Sequence, residues 1–182
     1  MTRNSEEVIG KIRSIFEGVV VDGLRRESTT GASDEEIDLF AARQAVASVP
    51  VAVREVLRLI GIQPGLWSTG SDFGVDVVTM DTKSSAHVIL SAMDNEFKDP
   101  AGMLVLSSHQ GYSYYVIDGA DLGMDDPPVW DVVEHVNAGN GWTSVSDWFA
   151  ATAPDVEDLR DVMEWMAESG NQPLWADDLR PL

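Results

Sequence analysis

The sequence predicts an α+β fold in which a mostly antiparallel sheet of about four or more strands is flanked by helices. Short runs of apolar, aromatic and β-branched residues, bounded by turn residues, lie in the middle of the chain, and such runs are typical of strands. Apolar residues recur with helical spacing on both sides of these runs. Strands and helices do not alternate regularly, which favours antiparallel pairing. The 182 residues fit one domain, residues 1–182, with a sizeable core.

Three helices are predicted before the first strand. Residues 5–21 carry apolar side chains at helical spacing, so we expect an amphipathic helix there. Ser33 and Glu36 have the spacing of a capping box, in which each side chain bonds the other residue's backbone N–H, and they begin a second helix. Pro50 suits the first turn of a third helix, and Gly61 suits its C-terminal end.

The next part of the chain is predicted to contain a loop, a strand and a helix. Residues 63–74 are rich in Gly, Pro and Ser, which is typical of a loop. Residues 75–80 are predicted to form the first strand. Ser84 or Ser85 is expected to cap a helix, because apolar residues recur at helical spacing from there to Phe97.

The centre of the fold is predicted to be a three-stranded meander. Residues 103–106 and 112–117 are strand-like runs separated by a short Gly-containing segment, which predicts a hairpin. Residues 129–134 follow an acidic loop and are predicted to form the third strand. The Gly-Asn-Gly sequence at residues 139–141 is expected to break the chain sharply.

Two helices are predicted after the meander. Ser144 and Asp147 have the spacing of an N-terminal cap and open a short helix. Residues 155–169 are predicted to form a longer helix, and residues 174–182 a packed or frayed tail. The inward face of the longer helix is expected to comprise Val156, Leu159, Val162, Met163 and Met166.

The order of motifs along the second half of the chain resembles that of one protein family. The motifs are Gly-Tyr-Ser-Tyr-Tyr-Val-Ile-Asp at 111–118, Pro-Pro-Val-Trp at 127–130 and Thr-Ser-Val-Ser-Asp-Trp-Phe at 143–149. This order is similar to that of the SMI1/KNR4 family of the SUKH superfamily, over residues 32–151. The resemblance implies an α+β architecture to which helices 5–21 and 155–169 are extensions. Residues 60–65 depart from the family, which usually has Asn-Gly-Gly after the second helix.

The resemblance also implies a function. Bacterial members of this family commonly act as immunity proteins, which neutralise a toxin in the same cell by stoichiometric binding. The leading hypothesis is therefore a non-enzymatic protein, an antitoxin whose acidic face covers the basic active-site cleft of a toxin, often one that acts on nucleic acid. Eukaryotic members suggest the alternative of a regulatory or scaffold module with several partners. Neither hypothesis requires a cofactor.

Charge is the most distinctive bulk property of the chain. The formal net charge is −19, and residues 118–182 carry 15 acidic and 2 basic residues. Direct binding of nucleic acid is not expected, because contacts to phosphates require Lys and Arg. The acidity is compatible with a solvated surface or, more specifically, with a surface that attracts a basic protein.

Composition also indicates the compartment. The chain contains no Cys, which excludes disulfides, thiolate metal sites and thiol catalysis. It has no apolar run of membrane-spanning length, and residues 1–10 lack the apolar core of a signal peptide. We therefore expect a cytoplasmic protein that does not bind a membrane.

Recognised catalytic motifs are absent from the sequence, including the nucleophile elbow, the phosphate-binding loop, the dinucleotide-binding fingerprint and the zinc-protease motif. Ser108 and His109 are adjacent and suggest a nucleophile with its base, but neighbouring strand residues point to opposite sides. His87 and His135 are well separated from them in sequence. An enzyme of unrecognised type is therefore the third hypothesis.

The loop at residues 118–126 is rich in carboxylates, which are ligands that Ca²⁺ and Mg²⁺ prefer. Their spacing misses the EF-hand pattern, so an acidic loop without metal is the favoured interpretation. The acidic residues of this loop are Asp118, Asp121, Asp125 and Asp126.

Aromatic residues beside acidic ones suggest a contact surface. Trp130, Trp148 and Trp165 fall on predicted helices or strands and are expected to be buried or half-buried. Trp67 and Trp142 fall in Gly-rich loops, where they either cover the ends of the core or contact a partner. The residues predicted to contact the partner are Trp67, Asp72, Asp121, Asp125, Asp126 and Trp130.

Overall fold

Five strands form one antiparallel sheet in the computed structural model, which describes residues 3–181. The strand order β1-β2-β3-β4-β5 follows the chain, so the sheet is a meander. The strands are β1 Asp72–Phe73, β2 Leu104–His109, β3 Ser113–Ile117, β4 Val129–Val133 and β5 Asn137–Trp142. The predicted α+β class, with an antiparallel sheet flanked by helices, is confirmed.

Six α-helices accompany the sheet in this part of the chain. They are α1 Arg3–Asp22, α2 Asp34–Arg43, α3 Val51–Ile60, α4 Met80–Ser91, α5 Val145–Ala151 and α6 Val156–Glu168. α4 packs against β2 and β4, whereas α5 packs against β5, α1 and α3. Buried side chains from every helix join those of the sheet in a common hydrophobic cluster. Between residues 3 and 181, no helix is both long and apolar enough to cross a membrane.

The strand register places a row of paired residues across the sheet. Residues that are paired across antiparallel strands point to the same face. The indole of Trp148 on α5 lies against this face, with ring centroids 6.2 Å from Phe73 and 6.4 Å from Tyr115. The row comprises Phe73, Ser107, Tyr115, Asp131 and Gly139.

Two predicted helix starts are confirmed by their caps. The Ser33 N–H donates to Glu36 Oε2 at 2.7 Å, and the Glu36 N–H donates to Ser33 Oγ at 3.3 Å. At the start of α5, Ser144 Oγ accepts from the Asp147 N–H at 3.0 Å. These side chains satisfy N–H groups that have no partner within the helix, so the signal is local and readable from the sequence.

Residues 75–80 do not form the predicted first strand. β1 lies before them, and the chain after it turns, because the Val78 N–H donates to the Gly74 carbonyl at 3.2 Å. Val75 and Val78 are both buried. Their apolar character therefore reflects a packed turn against the core rather than a strand.

α4 also differs from its predicted bounds. It begins before the expected cap at Ser84 or Ser85, and it ends before Phe97. The Thr79 N–H donates to the Thr82 hydroxyl at 3.1 Å, which supplies the cap one turn earlier.

Residues 139–141 continue the sheet as part of β5 and do not break the chain. The reversal occurs earlier, at residues 134–136, where His135 has a positive φ of 61°. Neither Gly139 nor Gly141 has a positive φ. Gly139 pairs with Asp131, whereas Gly141 lies at a register shift between the Asn140–Trp130 and Trp142–Val129 pairs. The Gly-Asn-Gly sequence was expected to break the chain, but pairing with β4 outweighs the low strand propensity of glycine.

Candidate functional site

Trp67, a predicted contact residue, lies in the core and not on the surface. Its side chain is 4% exposed. The ring stacks between Phe16 and Phe149, with centroid distances of 5.5 and 4.5 Å, and its Nε1–H donates to the Phe149 carbonyl at 3.3 Å. The short 3₁₀ helix Gly65–Ser68 turns this indole inward beneath α1 and α5.

The acidic loop connects parts of the fold through its carboxylates. Asp118 is buried and accepts from the N–H groups of Lys98 and Asp99 at 2.7 and 2.8 Å. Asp126 accepts from both the N–H and the hydroxyl of Ser146, at 2.9 and 2.6 Å. Asp126, a predicted contact residue, therefore holds the start of α5 to the loop.

The remaining predicted acidic contacts lie at or near the surface. Asp125 is half-buried and accepts from Asn4 Nδ2 and Ser5 Oγ, each at 3.0 Å, which ties the loop to α1. Asp121 is half-buried in a short 3₁₀ helix, and Asp72 on β1 is exposed. Within residues 3–181, no group of three or more His, Asp or Glu side chains is placed to hold a metal ion.

Ser108 and His109 do not contact each other as a nucleophile and its base would. The Ser108 hydroxyl donates to Asp72 Oδ2 at 3.3 Å. His109 Nδ1 lies 3.3 Å from the Ser71 hydroxyl instead, and its ring packs edge-on against Tyr112. The two side chains therefore have separate partners, as strand alternation predicts.

Trp130 is half-buried on β4 and lines a pocket beside β5. Its ring centroid lies 4.7 Å from that of Phe97, and its Nε1–H is buried without a hydrogen-bond acceptor among the described residues. The pocket has a volume of ≈ 600 Å³, and we call it the edge pocket. Its polar lining residues include Asp94, Glu96, Lys98 and Asn140.

A second aromatic group lies on the other face of the sheet from Trp130. The rings of Tyr115 and Trp142 meet edge to face at 5.0 Å. Burial raises the pKa of the neighbouring Asp131 carboxyl, and the Ser113 hydroxyl opposes this shift. Asp131 Oδ1 has no hydrogen-bond partner in the described part of the chain. Burial, together with the charge of Asp131, raises the pKa of Tyr115.

α6 presents an exposed indole and an exposed valine beside a row of acidic residues. Trp165 is 68% exposed, and Val162 is 42% exposed. We call the outward side of α6 the helix surface, defined by Glu157, Asp158, Asp161, Glu164, Trp165 and Glu168. Among residues 3–181, no cation lies within ion-pair distance of these five carboxylates.

Sequence reasoning placed Trp165 in or near the core and Val162 on the inward face, and both expectations are wrong. The residues of α6 that are buried or half-buried are Val156, Leu159, Arg160, Met163 and Met166. The apolar members of this set follow steps of three and four residues, which define one face of a helix. Val162 and Trp165 fall to one side of that stripe. A sequence prediction that limited the inward face of α6 to these positions would therefore have identified Val162 and Trp165 as exposed.

No family model, curated protein or solved structure matches the chain. The resemblance to the SMI1/KNR4 family rests on the sequence motifs, and the function that it implies is a proposal.

Proposed function

We propose that the chain is a non-enzymatic protein-binding domain of the immunity type, which neutralises a basic toxin by stoichiometric binding. The observation that carries this proposal is the helix surface, where an indole is 68% exposed among five carboxylates that have no ion-paired cation within residues 3–181. Exposed Trp residues are frequent energetic centres of protein interfaces. Carboxylates around such a centre favour a cationic partner and speed its association.

The charge distribution supports the same class of partner. The chain has a net charge of −19, and most of the acidic excess lies in the C-terminal third, which includes α6. Concentrated like charge disfavours the folded state through repulsion. A basic surface docked on α6 would reduce this repulsion. Partner binding, and not only solubility, would therefore account for the acidic residues.

The structure changes which residues are proposed to contact the toxin. Trp67 is buried, and Asp125 and Asp126 bond donors within the chain. Trp165 and the acidic residues of the helix surface therefore replace them as the proposed centre of the interface. Trp130 stays a candidate because it lines the edge pocket.

A regulatory or scaffold module is the second candidate function. The helix surface and the edge pocket involve different elements of the fold, and two separate binding surfaces suit a protein with more than one partner. The number of partners distinguishes this function from that of an immunity protein, which has one tight basic partner.

The experiment is a pull-down with tagged full-length chain at low salt, followed by a salt titration of the bound proteins. For an immunity protein, we expect one stoichiometric basic protein that resists moderate salt. Trp165→Ala should weaken its binding by at least about tenfold, whereas Val88→Ala, which alters an equally exposed residue on α4, should not. Equal binding by both variants would remove the helix surface from the interface. Several weakly held proteins would favour the scaffold.

A further inference from the structure

We propose that β5 is a docking edge, which accepts an extended basic segment of a partner protein as a sixth strand of the sheet. The proposal rests on the protein-binding function above for the existence of a partner, but it does not depend on the helix surface. It is supported by three features at one end of the sheet: an open edge, an acidic pocket, and an indole N–H without an acceptor among the described residues.

The first observation is that β5 is an open edge. Its strand partner within residues 3–181 is β4, so no strand of this part of the chain pairs with the outer backbone groups of β5. The opposite edge, β1, has 2 residues, whereas β5 has 6. Natural proteins protect open edges with short strands, charged side chains or Pro. β5 contains no charged residue and no Pro, and its pairing with β4 is irregular at Gly141, so residues 137–140 form the regular part of this edge.

The second observation is the acidic character of the edge pocket beside β5. Asp94 and Glu96 are exposed and line this pocket of ≈ 600 Å³ together with the half-buried indole of Trp130. Lys98 also lines it. A carboxylate pair with an indole face suits a Lys or Arg side chain, which gains ion pairing and a cation–π contact.

The third observation is a donor that has no acceptor. Trp130 Nε1 is buried and lacks a hydrogen-bond partner within the described residues. An unpaired buried donor is costly, and structures usually satisfy it. Because Nε1 itself is covered, an incoming carbonyl becomes its acceptor only when the Trp130 ring turns toward the pocket.

The two faces of the edge define the segment that fits. Successive side chains of a strand point to opposite faces of a sheet. On the face of the edge pocket, the added strand lies beside Asp94 and Glu96, whereas on the other face it lies beside Trp142 of β5, whose ring contacts Tyr115. We therefore expect Lys or Arg to alternate with apolar residues in the bound segment.

A second copy of this chain is a poorer occupant than a basic partner. Pairing β5 with β5 of another copy would bring together two chains that each carry a net charge of −19. Like charges of this size oppose association. The same charge favours a cationic segment, so the occupant is assigned to a different, basic protein.

The test uses the full chain and a display library of random ten-residue peptides. Enriched peptides should alternate basic and apolar residues. Each enriched peptide is then made in two N-methylated forms, one on the odd and one on the even amides. Because alternate residues of an added strand bond the edge, one form should lose at least about tenfold in affinity and the other should retain it.

Protein variants provide the second arm. Asp94→Lys combined with Glu96→Lys should weaken the peptides by at least about tenfold. Both residues are exposed, and neither has an ion pair among the described residues, so the variant should fold normally. Trp165→Ala is the matched control and should leave the peptides bound.

Three results would overturn the proposal: no enriched peptide, equal affinity of the two N-methylated forms, or binding that is indifferent to the double Lys variant. Self-association of the chain through β5, seen by sedimentation, would assign the edge to a second copy and also overturn it. The immunity function is tested separately, by whether Trp165→Ala weakens binding of the toxin. None of the results above changes that measurement, so failure of the β5 proposal and failure of the immunity function can be told apart.

Discussion

Gln44 pairs with the backbone of Val105 as a neighbouring strand would. Its Nε2 donates to the Val105 carbonyl at 3.0 Å, and its Oε1 accepts from the Val105 N–H at 2.9 Å. β1 pairs with β2 only at Ser107 and Ser108, so no strand within residues 3–181 lies beside Val105 on that side. Both residues are buried, and the Gln44 side chain therefore stands in for the missing strand.

Replacing this amide should destabilise the fold strongly. Gln44→Leu leaves the buried N–H and C=O of Val105 without partners, and each unsatisfied group costs about 1–3 kcal/mol. We expect a loss of roughly 2–4 kcal/mol in the free energy of unfolding, measured by urea denaturation. Gln63→Leu is the control, because the side chain of Gln63 is exposed. Equal stability of the two variants would contradict the pairing role of Gln44.

A buried carboxylate links α1 to α3. The Glu55 side chain is 1% exposed and accepts from Arg13 Nε at 2.6 Å and from Arg58 Nη1 at 3.3 Å. Arg58 also donates to Asp34 of α2, at 2.6 Å. The carboxylate is buried, whereas the two guanidinium groups are partly exposed. Removal of the two cations should therefore lower the free energy of unfolding more than removal of the anion.

This asymmetry predicts the outcome of a comparison between wild type and two variants. Arg13→Met with Arg58→Met leaves Glu55 buried and unpaired, which should cost about 3–5 kcal/mol. Adding Glu55→Met to that pair should recover roughly half of the loss, because it removes the isolated charge. Urea denaturation of the three chains measures the difference. A triple variant that is no more stable than the double variant would show that the carboxylate carries no such penalty.

Local signals in the sequence predicted much of the fold correctly. The runs at residues 103–106, 112–117 and 129–134 overlap β2, β3 and β4, and the caps at Ser33 and Ser144 are present. In each case the information lies within a few neighbouring residues. Side-chain alternation and capping depend on residues close in sequence, so they can be predicted without knowledge of tertiary contacts.

The positions of the tryptophans could not be predicted in this way. Trp67 was expected in a loop and is buried because Phe16 and Phe149, far from it in sequence, stack on both sides. Trp165 was expected in or near the core and is exposed because it lies beside the inward stripe of α6. The burial of a large side chain depends on tertiary neighbours, which a sequence window does not contain.

The role of Asp126 affects how binding experiments must be interpreted. Asp126→Lys removes the acceptor of the Ser146 N–H and hydroxyl, so it should lower the free energy of unfolding by about 1–3 kcal/mol. Asp121→Lys, a neighbouring charge reversal in the same loop, should change it by no more than about 0.5 kcal/mol. Thermal denaturation measures both. If Asp126→Lys were as stable as wild type, its carboxylate would be available for a partner after all.

The Asp131 carboxyl should make stability depend on pH in a defined direction. Burial raises its folded-state pKa above the ordinary 3.8, so the charged form is disfavoured in the fold. Below pH 3.8 the Asp131 carboxyl is protonated in both the folded and the unfolded state, so its burial does not lower the free energy of unfolding. As the pH rises through the folded-state pKa, wild type should lose stability relative to Asp131→Asn.

We therefore expect Asp131→Asn to be more stable than wild type at pH 7, by no more than about 1 kcal/mol because the residue is half-buried and partly screened. The advantage should vanish near pH 3.5. Asp94→Asn is the control, because it removes one negative charge from an exposed position. Its effect on stability measures the part that comes from lower repulsion in a chain of net charge −19. Urea denaturation across this pH range gives the comparison. A less stable Asp131→Asn at pH 7 would mean that the charged carboxylate is satisfied in the fold.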